Sequence, residues 1–425
     1  MREMKDSGIE WIGVIPSAWR TARVKNVAET MQSGGTPDSS NDTFYVDIEG
    51  GIPWVAIADM STTPYVKDTN KHISEEGRKS KNLIVFEPGT ILYAMYASVG
   101  KVSELAVPAT INQALLAIVL NSSIDGSFFK YALNAWEPYI ISESNGTTQF
   151  NLNANKVANL CFPMPNRLEQ ESIVRYLDTK CAQVDTLIAN VQAQIEKLRA
   201  YRQSVITEVV IKGFDPTVPM KDSGVEWIGE IPAAWDTVRV KQLLRERKER
   251  SAEGKEEPLS MSQKVGLVPT KTLDAIPNPA SSYVGAKLAF VNDLVFNKLK
   301  AHLGVFSVSK YDGLVSPDYA VYYSTGVVDL KYLEYLFKTP QCISEFRKRS
   351  TGIAAGLTRL YTDGLFAIEC PLPPKDEQQA IVAYLDGKWA QIDRLIAIKQ
   401  AKIEKLEQYK KSLIYEYVTG KREVL

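Results

Sequence analysis

The sequence predicts an α+β protein with an internal pseudo-two-fold repeat, in which each half has a mixed α/β segment followed by one long helix. Three observations support this class. A segment at 4–19 occurs again at 220–235. A second repeated segment begins two long stretches with seven-residue apolar periodicity, which is typical of packed helices. The stretches between them are rich in Gly, Pro, Asn, Ser and Thr and contain short β-branched runs, which favours short strands.

The two repeats define a duplication. The first is M-K-D-S-G-I-E-W-I-G-V-I-P-S-A-W at 4–19 and M-K-D-S-G-V-E-W-I-G-E-I-P-A-A-W at 220–235. The second is E-Q-E-S-I-V-R-Y-L-D at 169–178 and E-Q-Q-A-I-V-A-Y-L-D at 377–386. Repeated frames around divergent segments indicate two sites of one kind with different specificities.

The divergent segments contain the predicted strands and short helices. Residues 52–57, 115–120 and 319–323 are apolar or β-branched runs and predict strands. Residues 128–136 and 330–337 predict short amphipathic helices. When 93–101 is laid beside 297–304, Gly100 meets Gly304. This match indicates one fold whose surface has diverged.

Each long helix has a start and a stop signal. Pro163 and Pro165 precede the first helix, and Pro371, Pro373 and Pro374 precede the second. Gly213 and Gly420 are the predicted ends. Companion positions of the heptad grid are filled by Leu187, Tyr201, Leu395 and Tyr409, and Lys399 interrupts it. We expect the two helices to pack on each other through Val184, Ile188, Val191, Ile195, Leu198, Val205, Ile392, Ile396, Ile403, Leu406 and Leu413.

Composition excludes several classes of protein. A chain of 425 residues with 45% hydrophobic and 24% charged residues is ordinary for a globular protein of two to four domains. No apolar run has the roughly 20 residues of a membrane span. The four cysteines form no C-x-x-C pair, and only two histidines are present. We therefore expect a cytoplasmic protein with reduced thiols, no metal site and no His-based catalytic triad.

The order of repeat, divergent segment and helix, given twice, resembles the specificity subunit of type I restriction-modification systems. The resemblance covers essentially the whole chain. It rests on E-W-I-G-x-I-P-x-x-W at 10–19 and 226–235, and on P-x-P-x-x-x-E-Q at 163–170 and 371–378. Shorter supporting motifs are G-G-T-P at 34–37, I-P-W-V at 52–55, I-N-Q at 111–113 and V-S-P-D-Y at 315–319.

The resemblance implies two target recognition domains, each of which recognises one half of a bipartite double-stranded DNA sequence. It implies that the long helices form an antiparallel coiled coil, set the half-site spacing and dock two methyltransferase subunits. Two motor-nuclease subunits would complete the restricting complex. The implied regions are an N-terminal repeat at 1–19, recognition domains at 20–160 and 236–370, a central conserved region at 161–235 and a C-terminal conserved region at 371–425.

The resemblance also implies that this chain is not catalytic. S-adenosylmethionine, ATP and Mg²⁺ are expected on the partner subunits, with no cofactor bound here. The residues agree, because the sequence has neither the N/D-P-P-Y/F loop of an adenine methyltransferase nor a phosphate-binding loop around Gly100 and Lys101. A structural coiled-coil adaptor without sequence-specific DNA recognition remains the alternative.

Candidate DNA contacts in the first divergent segment are polar residues with donors and acceptors suited to bases or phosphates. Asn112 and Gln113 suit bidentate contact with adenine, although satisfying local backbone is the competing interpretation. The G-G-T-P motif could bring backbone close to DNA, or form only a tight turn. The full set is Ser33, Thr36, Lys101, Asn112, Gln113, Thr147, Thr148 and Gln149.

The second divergent segment offers mainly cationic candidates. Lys298, Lys300 and His302 alternate, so they would share one face if the segment is a strand. Gln263 and Lys264 lie in a polar loop. The best phosphate candidates are Arg347, Lys348, Arg349 and Arg359. Trp11, Trp19, Trp227 and Trp235 occur identically in both repeats, which favours framework packing over base stacking.

Overall fold

A computed structural model describes residues 2–47, 50–60, 64–96, 99–142, 152–263, 265–273, 282–354 and 357–424. The chain forms two compact units. Unit 1 contains residues 1–191 and 401–425, and unit 2 contains residues 192–400. Both long helices therefore contribute one part to each unit. The predicted α+β class, with two long helices that pack together, is confirmed. The predicted domain bounds differ from this division and stay predictions.

Unit 1 has two main sheets. The five-stranded sheet has the order β4-β12-β9-β10-β7, and the four-stranded sheet has the order β11-β6-β8-β5. The strands are β1 (Met4–Asp6), β2 (Val14–Pro16), β3 (Arg20–Arg23), β4 (Ala28–Ser33), β5 (Tyr45–Val46), β6 (Ile52–Val55), β7 (Tyr65–Val66), β8 (His72–Ile73), β9 (Ile91–Ala94), β10 (Val102–Leu105), β11 (Thr110–Ile111), β12 (Leu115–Leu120) and β13 (Cys161–Met164). The helices are α1 (Val24–Val27), α2 (Glu75–Ser80), α3 (Gly126–Ser142), α4 (Ala154–Ala158) and the first part of α5 (Arg167–Lys212).

Unit 2 repeats this plan with a four-stranded sheet of order β17-β24-β21-β22. Its strands are β14 (Met220–Asp222), β15 (Glu230–Pro232), β16 (Asp236–Arg239), β17 (Leu244–Glu246), β18 (Leu259–Ser262), β19 (Gly266–Pro269), β20 (Lys287–Ala289), β21 (Leu294–Asn297), β22 (Phe306–Val308), β23 (Gly313–Val315), β24 (Tyr319–Ser324), β25 (Thr351–Ala354), β26 (Leu357–Arg359) and β27 (Glu369–Leu372). Its helices are the second part of α5, α6 (Val240–Leu243), α7 (Leu330–Phe337), α8 (Pro340–Arg349), α9 (Thr362–Phe366) and the first part of α10 (Lys375–Val418).

The long helices run antiparallel, as contacts within each unit show. In unit 1 the Lys410 ammonium lies 2.7 Å from both oxygens of Asp185. In unit 2 the Arg202 guanidinium lies 2.8 Å from Asp393, and Lys399, which interrupts the heptad grid, donates to Gln194. In unit 1 the Tyr176 and Tyr417 rings also lie 4.4 Å apart. In each unit the partner residue number therefore rises on one helix as it falls on the other, which defines an antiparallel pair.

Burial along the helices follows the inner heptad positions. Six of the expected core residues are buried: Val184, Val191, Ile195, Ile392, Ile403 and Leu413. Five are partly buried: Ile188, Leu198, Val205, Ile396 and Leu406. The companion positions are different. Leu187, Tyr201, Leu395 and Tyr409, which are not among the predicted core residues, are all about half exposed. An antiparallel pair of only two helices leaves these outer positions facing solvent.

The glutamine of the repeated E-Q pair makes equivalent hydrogen bonds in both units. Gln170 and Gln378 are each 1% exposed. The Gln170 side chain accepts from the Asp125 N–H, just before α3, and donates to the Pro165 carbonyl. Gln378 makes the equivalent bonds to Asp329, just before α7, and to Pro373. The glutamine thus joins the start of a long helix to a helix of the divergent segment.

The repeated tryptophans belong to the framework. Trp19 and Trp235 are buried in the main apolar core of their unit, and Trp11 and Trp227 are partly buried against the same cores. The Trp235 indole donates to Glu377 at 2.8 Å. These positions fit packing and not base stacking. The cysteines are all free thiols, and among the described residues no helix is long and apolar enough to cross a membrane.

Candidate nucleic-acid interface

In unit 1 the candidate residues gather at one edge of the five-stranded sheet. Strand β4 ends at Ser33, which pairs with Leu116 near the start of β12. Strand β9 ends at Ala94, opposite Leu115, and Lys101 lies directly before β10. The loops after β4 and before β12 leave from this edge. The fold therefore brings the motifs of residues 33–36, 101 and 111–113 together.

The two loops at this edge are in direct contact. The Gly35 N–H donates to the Ile111 carbonyl at 3.0 Å, and the Gly34 N–H donates to Leu115. A Cβ at Gly34 would lie 1.9 Å from the Ile111 carbonyl oxygen, so only glycine allows this approach. The Thr36 hydroxyl bonds to the exposed Gln113 side chain. Hence Thr36 and Gln113 form one polar surface supported by packed backbone.

Asn112 is partly committed to its own loop. Its side-chain oxygen accepts from the Ala114 N–H at 3.1 Å, which is an Asx turn. The Asn112 side-chain oxygen therefore satisfies local backbone, as the competing interpretation predicts. Within the described ranges, no hydrogen bond uses its side-chain nitrogen, so the amide retains its donors. Gln113 is exposed beside it, and between them the two amides keep both donor and acceptor capacity.

Sequence reasoning missed Lys81 at this edge. Its Cβ lies 3.7 Å from the position of a Cβ on Gly35, and Lys81 with Asn82 lines a small cavity beside Ser33 and Gly34. Asn82 has a φ of +50°. Hydrogen bonds from Ser40 lower the pKa of the exposed Asp38 carboxyl, and the charge of Lys81 lowers it further. The sequence gives no periodic signal for Lys81, because it lies in an irregular turn distant along the chain.

In unit 2 the candidates lie at the same edge of the equivalent sheet, but the local structure differs from the expectation. Lys298 and Lys300 lie in a turn, and His302 lies in a 3₁₀ helix at Ala301–Leu303. The expectation that Lys298, Lys300 and His302 share one face of a strand is therefore wrong. The Asn297 side chain accepts from the Leu299 and Lys300 N–H groups, which ends β21 and turns the chain.

This turn is still joined to other candidates. Gln263 donates to the Leu303 carbonyl at 3.0 Å, which fixes the β18–β19 hairpin against the 3₁₀ helix. The Lys298 N–H donates to the Asp318 carbonyl, and the Lys298 carbonyl accepts from Leu360. Arg359 reaches the Asp318 carboxylate at 2.6 Å. Gln263, Lys298 and Arg359 therefore surround one sheet edge.

Cations outnumber carboxylates around Lys287 at this edge. Burial lowers the pKa of Lys287, and nearby Lys298 and Arg250 lower it further, while Glu246 and Asp318 act in the opposite direction. Lys287 donates to the Tyr319 carbonyl at 2.6 Å. The buried Nε of Arg359 has no hydrogen-bond partner within the part of the chain that is described. Such a cluster of closely spaced cations favours the approach of an anion.

The cations at the end of α8 are not equivalent to one another. Lys348 and Arg349 both bind the buried Glu345 carboxylate. Arg347 is exposed, and over the described residues it has no ion pair. Among the described residues, Arg347 is therefore the cation of this group without a carboxylate partner. Thr147, Thr148, Gln149 and Lys264 lie outside the described residues. Among the described residues, no cluster of three or more His, Cys, Asp and Glu is placed to hold a metal.

Comparison with known proteins finds similar chains. Residues 16–197 match the model for the type I restriction modification DNA specificity domain. The chain is similar to type I restriction enzyme specificity subunits. It is 25% identical to the provisionally named type I restriction enzyme MjaX specificity subunit of Methanocaldococcus jannaschii, over 96% of this chain and 95% of that one. It is 23% identical to the MjaVIII specificity subunit of the same organism, over 96% and 93%.

A solved structure shares the fold. A chain from a structure of a type I restriction-modification system, studied for complex assembly and conformational transition, matches 95% of this chain and 98% of its own length. The TM-score is 0.61 at 18% identity. The shared fold agrees with the fold that the repeats predict.

Proposed function

We propose that this chain is the DNA sequence-recognition subunit of a type I restriction-modification complex. Each divergent segment recognises one half of a bipartite target in double-stranded DNA. The observation that carries the proposal is the use of one sheet edge, in both units, to present different side chains. Unit 1 presents Thr36, Asn112 and Gln113 there, and unit 2 presents Lys298 and Arg359.

The chemistry of the two edges supports different half-sites. The amides at the unit 1 edge can donate to and accept from a base edge, as adenine recognition requires. The unit 2 edge is cationic, which suits guanine acceptors or phosphates. Meanwhile Gln170 and Gln378 make the same contacts in both units. Recognition of two different half-sites requires units with the same framework contacts but different side chains at the sheet edge.

The helix pair supports docking of two identical methyltransferase subunits, one on each unit. In unit 1, Leu187 and Tyr409 lie at the level of the Asp185–Lys410 ion pair and are 47% and 51% exposed. In unit 2, Leu395 and Tyr201 lie at the level of the Asp393–Arg202 pair and are 46% and 53% exposed. Large exposed apolar side chains repeated at equivalent positions are typical of an interaction surface.

The remaining chemistry belongs to partners in this proposal. Methyltransferase subunits bind S-adenosylmethionine and methylate adenine, and two motor-nuclease subunits use ATP and Mg²⁺. The chain itself selects the site. The two long helices set the number of base pairs between the half-sites, because separation within the protein fixes separation along DNA.

Methylated adenines mapped across the host genome, with this gene intact and deleted, test the proposal. We expect a bipartite motif that disappears on deletion. Replacing residues 20–160 with the corresponding segment of another specificity subunit should then change one half-site and leave the other unchanged. A change in both half-sites would contradict the two-surface arrangement. A genome whose methylation is unaffected by deletion, in a strain that expresses the methyltransferase, would favour the adaptor alternative.

A further inference from the structure

Unit 1 contains a cavity of about 370 Å³ between helix α3 and the long helices. We call it the Cys181 cavity. Its wall includes Tyr65, Tyr131, Cys181, Asp185, Lys410 and Ile414. The volume lies in the range of small-molecule sites. None of these residues belongs to the sheet edge at Thr36, Asn112 and Gln113 that is proposed to contact DNA. The cavity therefore requires its own explanation.

The equivalent place in unit 2 is filled by an indole. Trp389 lies on α10, and its ring centroid is 4.1 Å from that of Tyr335. The Arg202 guanidinium carbon lies 4.6 Å from the centre of the same indole. Trp389 is thus held between an aromatic ring and a cation, which is a favourable arrangement for a planar π-system.

Four positions around Cys181 correspond to four positions around Trp389. Cys181 and Trp389 are separated by the same 208 residues as the copies of the E-Q repeat. In unit 1, Tyr131 donates to Asp178 and Lys410 pairs with Asp185. In unit 2 the same two contacts are made by equivalent residues: Tyr335 with Asp386, and Arg202 with Asp393.

The one position of this set that changes in size is Cys181. A thiol side chain stands where the other copy has an indole, while the aromatic wall and the cation are both kept. Deleting a large side chain from a fixed surrounding leaves a cavity, because protein interiors relax only partly. The Cys181 cavity is therefore the space that Trp389 occupies in unit 2.

We propose that the Cys181 cavity binds a small, uncharged, planar aromatic molecule of about the size of indole. The Tyr131 ring and the Lys410 ammonium stand in for Tyr335 and Arg202 around it. The ligand is uncharged because the nearby charged groups are already engaged: Lys410 pairs with Asp185 at 2.7 Å, Lys130 pairs with Glu104 at 2.5 Å, and Asp178 accepts a hydrogen bond from Tyr131. The buried Ile414 side chain adds an apolar surface.

Indole itself is the probe, titrated against the isolated full-length chain by ligand-observed NMR and calorimetry. We expect one site with a Kd of about 1 mM or tighter. Cys181→Trp should supply the missing ring from within and weaken indole binding by at least about tenfold. Cys181→Ala is the matched control and should bind indole as the wild type does. Equal binding by Cys181→Trp and wild type, or no binding by wild type, overturns the proposal.

Trp389→Ala tests the same idea in the opposite direction. Removing the indole should open a matching cavity in unit 2, so the variant should bind two molecules of indole where the wild type binds one. Thermal unfolding should show that Cys181→Trp folds and is at least as stable as the wild type, since unit 2 already accepts an indole in these surroundings. A stable Trp389→Ala variant that still binds only one indole counts against the equivalence of the two places.

Discussion

Arg347 and Lys348 are neighbours on α8, but of these two only Lys348 has a carboxylate partner among the residues that the structure describes. Lys348 is held 2.8 Å from Glu345, whereas Arg347 is exposed. We predict that Arg347→Gln weakens binding of the assembled complex to its target DNA, and lowers the slope of log K against log salt by about one, the value for one lost phosphate contact. Lys348→Gln is the control and should leave the slope nearly unchanged. Equal slopes for Arg347→Gln and wild type would remove Arg347 from the interface.

Glu334 is a buried carboxylate in the middle of unit 2. It is 2% exposed. Burial raises its pKa, but Lys338 at 2.5 Å and Lys331 at 2.9 Å outweigh burial, so the net pKa falls below the ordinary 4.5. A lowered folded-state pKa means that the stabilisation is complete above about pH 4.5 and is lost as the pH falls through the folded-state value.

We therefore predict that Glu334→Gln lowers the free energy of unfolding at pH 7 by about 1–3 kcal/mol. The difference from wild type should shrink below the ordinary pKa, because the wild-type carboxyl then becomes neutral as well. Thermal unfolding of both proteins between pH 7 and pH 3 measures this. Glu208→Gln, on the exposed face of α5, should stay within about 0.5 kcal/mol of wild type at every pH. A gap for Glu334→Gln that is independent of pH would contradict the charge argument.

Both long helices end at a glycine with positive φ, but the two glycines have different surroundings. Gly213 has φ +74° and Gly420 has φ +68°. A Cβ on Gly213 meets its nearest neighbour at 3.3 Å, whereas a Cβ on Gly420 would lie 2.5 Å from Pro16. We predict that Gly213→Ala costs about 1–2 kcal/mol through backbone strain, and that Gly420→Ala costs more because Pro16 must move.

Gly387 is the control for these two glycines. It lies inside α10, and nothing is within 4 Å of its built Cβ. Gly387→Ala should therefore stabilise the protein by about 0.5–1 kcal/mol, since alanine loses less backbone entropy in a helix. Among the three variants, the thermal unfolding temperature should be highest for Gly387→Ala and lowest for Gly420→Ala. The opposite order for the two helix-end glycines would mean that the contact with Pro16 is easily relieved.

The elements could be predicted from the sequence wherever a strong local signal exists. Prolines and glycines bracket α5 and α10, and the apolar runs at 115–120 and 319–323 are strands. The outer heptad positions could not be predicted. Leu187 and Tyr201 have the right spacing for a seam, but a seam between two helices has room only for the inner positions.

The candidate site was harder to predict because it is assembled from loops. The contact between Thr36 and Gln113 joins residues far apart in the chain, and no periodicity reports such a contact. The Asn297 side chain turns the segment at 298–302 away from a strand, although its alternating residues resemble one. Lys81 reaches the edge through an irregular turn. Local patterns therefore locate the framework, while the edge depends on tertiary packing.

At the scale of the whole molecule, duplication separates what is kept from what has diverged. The kept contacts join long helices to their units: Gln170 and Gln378 at the helix starts, and Gly213 and Gly420 at the helix ends. The divergent residues include those at the sheet edges and the buried Cys181. A duplicated frame of this kind offers two equivalent surfaces to identical partners, while each sheet edge remains able to change independently.

This equivalence leads to a prediction about stoichiometry. Serine at both Leu187 and Tyr409 removes the apolar side chains from unit 1 alone. We therefore predict that the complex retains one methyltransferase subunit, where the proposed function gives the wild type two. Serine at both Leu395 and Tyr201 should give the same count through unit 2, and all four changes together should abolish docking. Native mass spectrometry of the assembled complexes measures the count, and circular dichroism checks the helices. Two bound subunits in the fourfold variant would place the docking surface elsewhere on the chain.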